Sequence, residues 1–212
     1  MKTSQKILWV AVFAASFALV ESAIVVYLRS LYYPGGFSLP LRVISKHHYW
    51  VELSRELATI IILASVGFLA GPSRWQKFAY FMMAFGIWDI FYYIWLKVTL
   101  NWPDSVFDWD VLFLVPVPWI GPVIAPVLIS VLMVLAGLFI LRADTAELPF
   151  RPNRWSWIFS LAGTFVALLS FTRDFEATLS SEVPKPYLYE LFVGALILYI
   201  CGFAVTFKGT NR

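Results

Sequence analysis

The stretch "FGIWDIFYYIWLKV", residues 85–98, decides how the chain is read. It is apolar and aromatic almost throughout, as a membrane-spanning helix is, yet Asp89 stands in its middle. A lone carboxylate in hydrocarbon costs about 2.5–3.5 kcal/mol on insertion scales. Such a group persists only where protons, a basic partner or a metal compensates it, so Asp89 directs attention to its neighbours.

The rest of the chain has the same character. Of 212 residues, 60% are hydrophobic and 14% charged, more apolar surface than a domain with a wet exterior can use. Six runs reach the roughly 20 residues that a span requires: 7–28, 50–71, 77–98, 119–141, 155–172 and 187–207. Breakers separate them, "YYPGG" at 32–36, "GPSR" at 71–74, "NWPDS" at 101–105, "LPFRPNR" at 148–154 and "VPKP" at 183–186. The expected fold is all-α, one domain, a six-helix bundle. The first run continues to Leu28, too long for the core of a cleaved signal peptide. The Pro-rich segment before the fourth span, with Pro116, Pro118, Pro122 and Pro126, predicts an interfacial helix at 104–114 and then irregular backbone folded over the bundle end.

Basic residues set the expected direction. Lys2, Lys6, Arg74, Lys77, Arg142, Arg151, Arg154, Lys208 and Arg212 fall on one side, and the remaining bases are spread over longer loops. That bias predicts a cell (inner) membrane protein with both termini cytoplasmic. Trp75, Trp155 and Trp157 then mark the inner boundary, and Trp50, Trp102, Trp109 and Trp119 the outer one. The bases are scattered between apolar runs, which gives no basis for nucleic acid binding. A single cysteine, Cys201, excludes an internal disulfide and any CxxC motif.

The acids are more telling. Only Asp144 and Glu147 belong to the expected cytoplasmic side; the rest lie in outer loops or outer halves of spans. Glu21 is eight residues before Arg29, and Asp89 eight before Lys97, which puts both about 12 Å below the outer boundary. Glu56 follows Trp50 by six residues, about 9 Å deep. Glu190 lies nearer the surface, about 5 Å deep. In "HHYWVELSRELATIII", His48, Glu52 and Glu56 recur every four residues and share a helix face, with Arg55 beside them. Tyr92 and Tyr93 fall on the side of Asp89.

Glu21, Glu52, Glu56 and Asp89 would carry four negative charges, with Arg55 the one base expected among them. Arg29 and Lys97 are placed to snorkel at the rim. A surplus of that size is unstable in low dielectric, which predicts protonated carboxyls or a bound cation. The leading expectation is a metal-dependent membrane enzyme acting on a lipophilic or membrane-delivered small molecule. Glu21, His48, Glu52, Glu56 and Asp89 are its candidate ligands for Fe, Mn or Zn, and Glu56, Asp89 and Arg55 its candidate catalytic groups. No Glu-x-x-His pair occurs, so a standard di-iron site is not expected. The alternatives are a proton- or cation-coupled transporter, or a non-catalytic subunit that pairs with a membrane protein partner or a second copy. Asp108 and Asp110 read as groups that keep an interfacial helix wet. The fourth and fifth spans, uncharged and with hydroxyls such as Ser130, Ser160 and Thr164, read as scaffold.

Overall fold

The computed structural model describes residues 1–35, 45–115, 117–145, 150–176, 182 and 185–208. Gly36, Arg42, Pro116, Glu147, residues 148–149 and 183–184, and Arg212 lie outside them. The six expected helices form, with ends shifted by a few residues from the apolar runs: α1 Thr3–Tyr32, α2 Lys46–Ala70, α3 Arg74–Leu100, α4 Ile124–Thr145, α5 Arg154–Thr172 and α6 Tyr189–Lys208. All six are long and apolar enough to cross a membrane. Even α5, at 19 residues, extends about 28 Å, close to the thickness of a hydrocarbon core. Large apolar side chains such as Trp9, Ile61, Leu69, Leu161, Phe165 and Ile200 are exposed on the helix faces. Water would penalise that arrangement and lipid would not, which marks a multi-pass membrane protein.

Local chemistry sets the helix ends. Ser45, Ser73 and Asn153 each accept a hydrogen bond from the first turn of α2, α3 and α5, satisfying donors that have no partner within the helix. Asn101 closes α3 in the left-handed conformation, φ 55°, which Asn tolerates better than most residues.

The centre of the bundle is α3, which packs on α1, α2 and α4, while α5 and α6 pair beside it. Close approach explains the α3–α4 contact. A methyl group at Gly86 would lie 2.5 Å from the Ser130 carbonyl, and one at Gly137 would lie 2.7 Å from the Ala79 carbonyl. Small residues of this kind let membrane helices touch backbone to backbone. Around Ala14, Leu63, Ala79, Tyr80 and Met83 the half of the bundle nearest the chain termini is a tightly buried apolar core.

The interfacial helix expected at 104–114 is not present. Asp108 instead accepts the backbone N–H groups of Asp104 (2.7 Å) and Ser105 (3.0 Å), closing a turn. An antiparallel hairpin follows, β1 Trp109–Phe113 on β2 Trp119–Pro122, with Asp110 opposite Gly121 and an irregularity between Val111 and Phe113. Branched and aromatic residues favour extended backbone, and prolines remove the donors that a helix needs. For the same reason the fourth helix starts at Ile124 rather than 119. Two strands alone are marginal. Here Trp119 stacks on Phe171 of α5 (6.3 Å between centroids, 8° between planes) and Phe113 on Phe85 of α3 (6.2 Å, 18°).

Candidate functional site

At the hairpin end of the bundle, α1, α2, α3 and β1 enclose a cavity of about 170 Å³. Its wall includes Glu21, Glu56 and Asp89, which helix rise alone puts near one level, and Glu52, one turn above Glu56. Arg55 joins them, as do Arg29, Tyr92, Tyr93 and Asp110. His48 is not in the wall: it is exposed on the first turn of α2, hydrogen-bonded to the Tyr32 hydroxyl and 3.1 Å from Ser45 Oγ. Glu190 is exposed and outside the wall as well.

Each carboxylate has a different partner. Arg55 forms ion pairs with Glu21 and with Glu52, the latter at 2.8 Å, three residues back on the same helix face. Thr59, one turn beyond Arg55, donates to Glu21 at 2.6 Å, so α2 holds α1 through two contacts on one side chain. Glu56 reaches the hairpin and accepts the Leu114 N–H at 2.7 Å. Asp89, the residue that opened the question, accepts from Ser130 Oγ of α4 at 2.8 Å. Ser130 Oγ comes within reach because Gly86, one turn before Asp89, admits α4 so closely. Ser130 is therefore part of the site and not scaffold.

Two further residues differ from expectation. Arg29 is buried: it pairs with Asp110 at 3.2 Å and lies 3.7 Å above the Trp102 ring. Asp110 is buried too, the one fully buried residue of β1, where the hairpin packs over the helices. Burial pushes its carboxyl up from 3.8 to about 6, against Arg29, the Val111 N–H and the Tyr93 phenol, which pull it down. Lys97 donates to the carbonyls of Asn101 (3.1 Å) and Pro103 (2.9 Å), at the end of its own helix.

Aromatic rings make up much of the remaining wall. Trp88 and Tyr92 stack at 6.2 Å and 29°, and Phe113 lies 6.3 Å from Trp88. Among the described residues no three His, Cys, Asp or Glu side chains gather as a metal ion requires. The cavity thus combines five carboxyls, two guanidiniums and a lining shared between aromatic and aliphatic side chains. No family model, curated protein or solved structure matches the chain.

Proposed function

We propose that this membrane protein binds a cation in the cavity at its hairpin end, which faces the outside of the cell (inner) membrane while both termini lie in the cytoplasm. One observation carries the reading: three more carboxyls than guanidiniums line one cavity. In low dielectric that excess must be neutralised by protons or by a bound cation. Arg55 organises Glu21 and Glu52, which leaves Glu56 and Asp89, each held by a neutral donor, as the groups that exchange protons or contact the cation. A membrane enzyme acting on a lipophilic, membrane-delivered molecule suits this arrangement. Fe, Mn or Zn, if it is the cation, would rest on carboxylates alone, since His48 is engaged with Tyr32. Among the described residues, the buried apolar core beneath the cavity offers no polar route onward, which weighs against a transporter.

The test is thermal stability in detergent with Mn²⁺, Zn²⁺ or an alkylammonium ion, for the parent and for Glu56→Gln with Asp89→Asn. A cation that stabilises the parent and not the double variant supports the reading. Stability indifferent to every cation overturns it and leaves a non-catalytic subunit as the better account.

A further inference from the structure

Among the described residues, three buried polar side-chain atoms have no hydrogen-bond partner of good geometry: Trp88 Nε1, Trp119 Nε1 and Asp110 Oδ2. Asp110 and Trp88 both belong to the cavity wall. Asp110 is 5% exposed; Oδ1 receives Arg29, the Val111 N–H and the Tyr93 phenol lie near the carboxyl, and Oδ2, with no hydrogen bond of good geometry, can accept a further donor. Buried polar atoms are rarely left in that condition without a reason.

The surroundings define what that donor is. An anion finds little to hold it, because Arg29 is engaged by Asp110 and Trp102, and Arg55 by Glu21 and Glu52. A bare metal ion finds its ligands dispersed, for Glu21, Glu56 and Asp89 each face a separate donor and no three acids converge among the described residues. A proton alone leaves most of the 170 Å³ unused, where one water needs only about 10–15 Å³. Aromatic rings share the wall with the acids, and ring faces attract ammonium groups while covering apolar carbon.

We propose that the cavity takes an organic ammonium ion, a protonated amine with an apolar body. The ammonium donates to Asp110 Oδ2, and the body lies against Trp88, Tyr92 and Phe113. This inference rests on the reading of the cavity as a cation site and names the class of cation. The amine arrives either as a free small molecule or as a lipid headgroup, since both present the same ammonium.

Calorimetry on the full chain in detergent at pH 7 tests it, with phenethylamine, its neutral counterpart phenethyl alcohol, phosphatidylethanolamine, Mn²⁺ and Zn²⁺ as ligands. Phenethylamine is expected to bind at least about tenfold more tightly than the alcohol. Asp110→Asn should weaken the amine about ten- to hundredfold, and Asp104→Asn, an exposed acid outside the cavity, should not. If Asp110→Asn does not stay monodisperse, Phe113→Leu serves instead and should weaken the amine about threefold or more. Tighter binding by phosphatidylethanolamine, still dependent on Asp110 or Phe113, supports the ammonium and assigns its source to the bilayer. Equal affinity for amine and alcohol, or amine binding unchanged by these variants, overturns the inference. Mn²⁺ or Zn²⁺ binding lost in Asp89→Asn, without amine binding, overturns it and leaves the cation site standing. Binding of none of them overturns both.

Discussion

Arg29 and Asp110 form a buried ion pair at 3.2 Å that joins the last turns of α1 to the first strand of the hairpin, 81 residues further along the chain. The pair fixes the roof of the cavity to its wall. Removing one partner strands the other as a buried charge, which costs about 3–5 kcal/mol. Asp110→Leu and Arg29→Met should each lower stability in detergent by an amount of that order, and the double variant should recover much of it. A double variant whose loss equals the sum of the two singles would show that the pair is not coupled.

Asp110 also predicts a pH dependence. Its carboxyl titrates near 6 in the folded chain and near 3.8 when exposed, so between these values the folded state holds more protons. Stability must then fall as pH rises from about 4 to about 6, and Asp110 contributes no further slope above that window. Arg29 of α1, Tyr93 of α3 and the Val111 N–H face the carboxyl. Unfolding measured across pH 4–7 should show a smaller decline in Asp110→Asn than in the parent. Identical profiles would mean that Asp110 is not the titrating group.

Glu56 provides the second tie between roof and wall. Glu56→Leu leaves the Leu114 N–H without an acceptor, a loss of about 1–3 kcal/mol that falls on the hairpin rather than on α2. Hydrogen exchange should accelerate over 109–115 and stay slow in the middle of α2. Unchanged protection in β1 would show that Glu56 does not hold the hairpin.

The α3–α4 contact can be probed separately. Gly86→Ala pushes a methyl group into the Ser130 carbonyl and should cost about 1–3 kcal/mol. Ser130→Ala removes the hydroxyl that donates to Asp89 with little change in packing and should alter cation response more than stability. If Ser130→Ala behaves like the parent in both respects, Asp89 is satisfied in another way.

How much of this can be read without coordinates depends on the range of the interaction. Glu21, Glu56 and Asp89 line one cavity because rise per residue fixes depth, and depth follows from a span's boundary residues. Glu52 and Arg55 are three apart on one helix and equally legible. Arg29 and Asp110 are not: the partner lies on a hairpin whose formation depends on packing against α3 and α5, and a proline-rich apolar run does not announce its register. Ser130 escapes notice because a serine in an apolar helix usually bonds its own backbone. Its pairing with Asp89 follows from the close approach at Gly86, a spacing that the sequence pattern alone does not reveal. His48 shares the register of Glu52 and Glu56, but it stands on the first turn, where Ser45 and Tyr32 engage it first.

The central claim is that excess carboxyls in one cavity are neutralised by protons until a cation replaces them. The direct measurement is calorimetric titration of a stabilising cation into the parent protein in two buffers of different ionisation enthalpy. The account predicts proton release on binding, tighter binding at higher pH, and loss of both in Glu56→Gln with Asp89→Asn. Binding that releases no protons, or no cation binding at any pH, would contradict it.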